Sequence, residues 1–275
     1  MTDRERNECL TSGHDATMPD QDKRTGGTPR IVVETRRIVP ALRRSTPLPV
    51  PKIKTDSLLV SLIESFPVPA SFKEADTGRY IVSNAHNSRQ LGIENPLDLI
   101  GLTINDVRLC QPEWGAQYAR AIENLDFRAR ESKSHVVGKH RFLDDNGEVR
   151  FEEMVKFPVL GAAKNILGIV TYRHDVTSTL GPTALYGMYR TFYRTDDAIG
   201  RVMLCLKIGC FFVAPPTDAQ FRIFLMKLER LSNKEIANCV GASVRTVECH
   251  LNALRNKIVD GNLNRVISIR KWSVE

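Results

Sequence analysis

The side chains between Leu231 and Leu251 are of the kind that hydrogen-bond to base edges and phosphates. The stretch runs Leu-Ser-Asn-Lys-Glu-Ile-Ala-Asn-Cys-Val-Gly-Ala-Ser-Val-Arg-Thr-Val-Glu-Cys-His-Leu. A guanidinium, amides and a carboxylate match the donors and acceptors of a duplex groove, and ammonium groups match phosphates. That chemistry needs a rigid helix to carry it. Ser232 and Glu235 have capping-box spacing and predict a helix start. Ile236, Ala237 and Val240 give this helix a small apolar face. Gly241 supplies the positive φ that a tight interhelical turn uses. Ser243 stands where it would cap a second helix.

The second helix has two faces. Val247, Leu251, Leu254 and Ile258 recur at helical spacing and are expected to pack inward. Arg245, Glu248, Cys249, Asn252, Arg255 and Asn256 lie round the other side. Asn252 has the amide for paired hydrogen bonds to adenine, and Lys257, late in the helix, suits a phosphate. Glu248 has two open readings. It could accept from a cytosine amino group, or pair with Arg245 and orient it. Cys249 is expected to be a small apolar contact rather than a redox group.

Ser232-Asn-Lys-Glu-Ile-Ala with Arg245-Thr-Val-Glu-Cys-His250 resembles the LuxR/FixJ-type helix-turn-helix of bacterial transcription regulators, over about Thr217 to Lys271. The resemblance implies an all-α domain, residues 213–275, that binds double-stranded DNA as a homodimer. It adds Asn233, Lys234, Ser243 and Thr246 to the expected contacts. RNA polymerase is a further implied partner, and the implied location is the cytoplasm, at the nucleoid. The chain departs from the family pattern at Pro216-Thr-Asp-Ala-Gln220, where Leu-Thr-Pro-Arg-Glu is usual. Arg222 replaces a glutamate and Glu248 a lysine. Arg230 replaces the glycine that commonly ends the first helix, so the bend there needs another solution.

The whole chain fits this reading. Its 275 residues have room for two modest cores. A net charge of +7 suits a polyanionic partner, and residues 217–275 carry ten Lys and Arg against six Asp and Glu. No run of about 18 apolar residues predicts a membrane span, and the N-terminus lacks the apolar stretch of a secretory signal. Cys9, Cys110, Cys205, Cys210, Cys239 and Cys249 form no Cys-x-x-Cys and no zinc spacing, so reduced thiols are expected and no metal.

Residues 1–55, rich in Pro, Thr and Arg, read as a disordered basic tail. From Asp56 the pattern changes. A short helix over Leu58–Phe66 precedes strands at Val68–Phe72 and Arg79–Ser83. Small helical pieces follow, then a long helix over Trp114–Arg130. Asp144-Asp-Asn-Gly147 predicts a hairpin between Val136–Leu143 and Glu148–Leu160. Val149, Phe151, Val155 and Phe157 share a parity and are expected to face the core. Asn165–Arg173 is the last strand. This order resembles a PAS domain over residues 56–177. The residues that carry the resemblance are Ser65-Phe-Pro-Val-Pro69, Asn84-Ala-His-Asn87, Leu99-Ile-Gly-Leu102, Leu167-Gly-Ile-Val and His174-Asp-Val-Thr177. It implies an α+β sensor with a five-stranded antiparallel sheet. Residues 178–212 form an apolar helical connector, either dimerising or docking on the sheet, or extending the C-terminal core.

PAS domains often hold a ligand, haem or flavin. Asn87-Ser-Arg-Gln-Leu-Gly92 lacks the cysteine of the flavin photosensors, and His86, His135 and His140 each read as ordinary surface or hydrogen-bonded histidines. No cofactor is expected. A pocket lined by Val68, Phe72, Ile81, Leu102, Phe151, Phe157 and Ile169 would take a small apolar molecule or none. No nucleophile elbow, phosphate-cradling glycine loop or metal-binding His cluster points to an enzyme, and no receiver domain with a phosphoacceptor aspartate points to a phosphorylation switch. The alternative to a sequence-specific regulator is a PAS-based scaffold with a decayed helix-turn-helix, acting through protein contacts.

Overall fold

The computed structural model describes residues 57–109, 111–144 and 146–268. The expected N-terminal tail lies outside them, as do Cys9, Cys110 and the last seven residues. Helix α1 (Ser57–Ser65) ends before Pro67 and is followed by β1 (Ala70–Glu74) and β2 (Tyr80–Ser83). Then come α2 (Ala85–Gln90), two 3₁₀ turns, and the long α3 (Pro112–Ser132). The half closes with β3 (Val136–Leu143), β4 (Val149–Leu160) and β5 (Ile166–Asp175). The strands form one antiparallel sheet in the order β2-β1-β5-β4-β3. This is the α+β architecture with a five-stranded antiparallel sheet expected from the element order.

Both faces of the sheet are covered at β1 and β2. Ile63 of α1 packs on Ala70, Phe72 and Val82 on one face. On the other, Tyr118, Ile122 and Leu125 of α3 pack against Tyr80, Phe142 and Met154. All five residues of β1 are therefore buried, and the half-exposed alternation of a one-sided sheet is lost there. That cover overturns the parity assigned to β4. Phe157 is on the α1 side, stacked on Tyr172 and 39% exposed. Phe151 packs on the helical half of the chain. The helix-covered inner face instead receives Glu152, Met154 and Lys156, all buried.

Two of the motifs that carried the sensor resemblance have clear physical jobs. The Asn84 carboxamide accepts from the backbone N–H groups of Ala70 (3.0 Å) and Asn87 (2.9 Å) and donates to the Val68 carbonyl (2.8 Å), tying β1, β2 and α2 together. Asp175 accepts from the Thr177 N–H (2.9 Å) and from Arg150 (2.7 Å), while Thr177 Oγ1 accepts from the Phe151 N–H (2.8 Å). The last strand is thus locked to β4 just before the chain leaves the sheet.

The second half is helical: α4 (Pro182–Tyr189), α5 (Thr195–Cys205), α6 (Asp218–Leu228), α7 (Asn233–Val240), α8 (Val244–Arg255) and α9 (Leu263–Ser268). Leu185, Tyr189, Ile199 and Met203 from α4 and α5 share one buried cluster with Phe221, Phe224, Val247 and Leu254. Glu229 accepts from the Thr183 N–H (2.8 Å) and hydroxyl (3.0 Å), and Tyr186 donates to Asp218 (2.5 Å). Helices α4 and α5 also meet the sheet half. Leu143 and Val149, flanking the β3–β4 turn, belong to the same cluster. Tyr193 (2.7 Å) and Arg201 (3.0 Å) both donate to the Gly147 carbonyl. Trp114 of α3 stacks on Tyr118 and meets Phe192 edge-on at 5.6 Å.

Arg230 resolves the missing glycine without changing the geometry. Its φ is +69°, the Leu231 N–H bonds to the Met226 carbonyl (3.1 Å), and the Arg230 N–H bonds to Lys227 (3.0 Å). The helix ends in a Schellman-type turn with an arginine at the left-handed position. An L-residue with a Cβ is strained there by about 1 kcal/mol. Arg230→Gly is therefore expected to stabilise the protein by about 1 kcal/mol, read as a higher urea midpoint at unchanged slope. A lower midpoint would mean that contacts of the arginine side chain outweigh its strain.

Candidate nucleic-acid interface and a charged interior of the sheet half

Helices α7 and α8 form as their caps dictate. Ser232 Oγ accepts from the Glu235 N–H (3.3 Å) and the Glu235 carboxylate accepts from the Ser232 N–H (2.7 Å). Gly241 ends α7 at φ +67°, ψ 36°, and Ser243 Oγ then accepts from the Thr246 N–H (3.1 Å) to start α8. Val247, Leu251 and Leu254 are buried. Arg245, Glu248, Cys249, Asn252 and Asn256 are exposed and, at 100° per residue, share one stripe of α8. Lys234, Ser243, Thr246 and Arg255 are exposed as well, with the Ser243 and Thr246 hydroxyls 2.9 Å apart.

Asn252, Arg255 and Lys257 have local partners too. Arg255 donates to the Asn252 carboxamide oxygen, so Asn252 must release it to pair fully with a base. Lys257 is half-buried, and its ammonium donates to the Pro215 carbonyl at 2.9 Å. Asn233, half-buried, lines a hollow of about 330 Å³ with Arg255, Lys227 and Arg230, beside α9 rather than along the α8 stripe.

The interior of the sheet half differs sharply from the apolar pocket expected. Phe72 and Ile81 belong to the cluster on the α1 face, and Phe157 lies on that face too. Phe151 belongs to the helical core, while Leu102 sits in the inner cluster and Ile169 is buried. Val68 is a half-buried loop residue whose carbonyl receives Asn84. The seven do not line one cavity. What the sheet and α3 enclose is a charged network. Asp126 sits between Lys73 (3.2 Å) and Lys156. Arg173 donates to Tyr118 (3.2 Å), Gln90 (3.3 Å) and Asn87. Gln90 also donates to Glu152. The Arg173 Nε, Glu152 Oε2 and His140 Nε2 are buried without a hydrogen-bond partner. The sequence signal was there but faint: a lysine after Phe72, and an arginine closing a near-continuous apolar strand.

Electrostatics separate these groups. Burial opposes the charge of Asp126, but its two lysines outweigh burial and hold its pKa below the usual carboxylate range. Burial likewise opposes the Lys73 charge and is outweighed by Asp126. Lys156 is pulled down to about 8 by burial. Glu152 is pushed up by burial, against the pull of Arg173, to about 7. A carboxyl whose pKa is raised on folding favours the folded state at low pH. Glu152's contribution is thus complete below about 4.5 and is lost as pH rises through about 7. Glu152→Gln is expected to match the parent protein at pH 5 and to exceed it at pH 8 in urea denaturation. An unchanged difference between the two pH values would show that Glu152 does not titrate in this way.

His86 and His135 are exposed and His140 is half-buried, and the cavity between sheet and α3 measures about 10 Å³ with Lys73, Lys156 and Arg173 in its wall. Among the described residues no cluster of His, Cys, Asp or Glu could hold a metal ion, and no helix is long and apolar enough to cross a membrane.

The strand order, the helices between β2 and β3, and the capped pair α7–α8 define a PAS-like fold followed by a LuxR-type helix-turn-helix fold. No model of a protein family matches the chain, and no curated protein does. Similar solved structures include VqmA of Vibrio cholerae in a complex with ligand and DNA, at 19% identity and a TM-score of 0.45, covering 78% of this chain and 88% of that one. A phage VqmA–DPO complex is similar at 20% identity and a TM-score of 0.45, covering 78% and 90%. The PAS domain of Bordetella pertussis BvgS is similar at 18% identity and a TM-score of 0.38, covering 44% and 85%.

Proposed function

We propose that this protein is a sequence-specific DNA-binding transcription regulator whose sheet domain senses a signal and contributes to dimerisation. One observation carries the reading: α7 and α8 are capped at both starts, joined through a left-handed glycine, and leave a continuous polar stripe on α8 exposed. Arg245, Glu248, Cys249, Asn252 and Asn256 are the groove-facing residues of this reading, and Lys234, Ser243, Thr246 and Arg255 flank them on the phosphates. Lys257 joins them only by giving up Pro215. We place the sensor at residues 56–177 and assign α4 and α5 to the DNA-binding half, because their apolar residues lie in its core. The protein acts as a homodimer, with RNA polymerase as its further partner, at the nucleoid.

The test is selection of duplex sites by the full-length protein from a random pool, followed by titration across salt. A defined site and a steep salt dependence are expected. Arg245→Ala should lose about 10- to 100-fold in affinity for the selected site, the loss of one good base contact. Failure to select any site would favour the scaffold reading instead.

A further inference from the structure

We infer that the charged interior between the sheet and α3 is a receptor for a small oxyanion, a carboxylate or inorganic phosphate. The inference rests on the sensory reading above and names the class of signal. Three cationic side chains meet there, with Lys73 3%, Lys156 0% and Arg173 3% exposed. Among the described residues two carboxylates answer them, Asp126 and Glu152. Desolvating an ion without a counter-charge is expensive, so an excess buried cation calls for an anion. Glu152, pushed up to about 7, is partly uncharged at neutral pH and widens the excess, while Lys156, pulled down to about 8, narrows it.

The geometry adds an unmet donor on a residue of the cavity wall. Arg173 commits its two terminal nitrogens to Tyr118, Gln90 and Asn87, yet its Nε, equally buried, donates to nothing. The same cavity is walled by the Ser71 and Thr171 hydroxyls and by both lysines. A planar or tetrahedral oxyanion accepts from all of these donor types at once. A neutral apolar ligand would satisfy none of them.

The cavity volume, about 10 Å³, is room for one water. A carboxylate or phosphate is larger, so its entry displaces part of the wall. Ile104, on the 3₁₀ turn Ile104–Asp106, is the wall residue carried by the shortest element. Tyr118, which receives Arg173, stacks on Trp114, which in turn meets Phe192 before α5. Occupancy of the interior is therefore felt at the helices that share a core with α6–α9.

The experiment is thermal unfolding and calorimetric titration of the full-length protein with acetate, succinate and inorganic phosphate. Chloride serves as the comparison at equal ionic strength, with acetamide and succinamide as neutral counterparts. At least one oxyanion should raise Tm saturably, the amides should not, and Lys156→Met should raise the half-saturating concentration at least tenfold. Lys156→Met leaves Lys73 and Asp126 as a matched pair. Should it not fold, Arg173→Lys keeps the charge, loses the fork, and should weaken binding in the same direction. Equal stabilisation by chloride, stabilisation by the amides, or a half-saturating concentration unmoved in the folded variant would each overturn the inference. A protein that selects a DNA site but ignores every oxyanion defeats this inference alone. One that binds an oxyanion but selects no DNA defeats the regulator reading alone.

Discussion

Asp126→Asn is expected to cost about 3 kcal/mol of stability, near the lower end of what removing one partner of a buried ion pair does. The side chain keeps its shape and loses only its charge, so two buried ammonium groups remain with no anion between them. The figure is held low because the Asp126 side chain is 16% exposed and water reaches it. Urea denaturation measures the loss, and a double-mutant cycle locates it. Lys156→Met in the Asp126→Asn background should recover part of the stability, because it removes one of the two stranded cations. A cost below about 1 kcal/mol, with no recovery, would mean that the lysines are adequately solvated and that the cluster is not electrostatically tight.

Gly168→Ala is expected to be comparably damaging for a different reason. A Cβ on this residue would lie 2.3 Å from the Lys73 carbonyl oxygen and 2.4 Å from the Phe72 ring. The first neighbour is backbone in the paired strand, where Glu74 and Gly168 face each other, so no side-chain rotation relieves the clash. Overpacking of this kind costs about 3 kcal/mol or more when backbone must shift. The β1–β5 pairing that opens carries Lys73 on one strand and Arg173 on the other. Loss of oxyanion response should accompany the loss of stability in a partly folded variant. An alanine variant with unchanged Tm would show that the two strands separate at this point at little cost.

The helix-turn-helix was legible in the sequence because its determinants are local. Ser232, Glu235, Gly241 and Ser243 act within a few residues of themselves, and the structure places each in the role its position predicts. Most strands of the sheet were legible too, with β3 matching its expected bounds and β4 starting one residue later. The interior of the sheet half was not. Parity tells which residues share a face but not which face is inside, and here α1 covers the second face at β1 and β2. Apolar residues could therefore sit on the α1 side while Lys73, Lys156 and Arg173 turned inward. No local rule joins Asp126 on a helix to two lysines on strands 53 and 30 positions away. Arg230 shows the reverse case. The sequence removed the expected glycine, and tertiary packing kept the left-handed turn regardless.

Trp114 gives the molecule a built-in optical probe. Its indole lies against Tyr118 and Phe142 in the sheet half and against Phe192, between α4 and α5, in the helical half. The chain has two tryptophans, and the other, Trp272, lies outside the described residues. With Trp272 replaced by phenylalanine, all indole emission comes from this one junction. Its wavelength and quenching then track the seam between the two halves of the chain, with no dye attached and no cysteine altered.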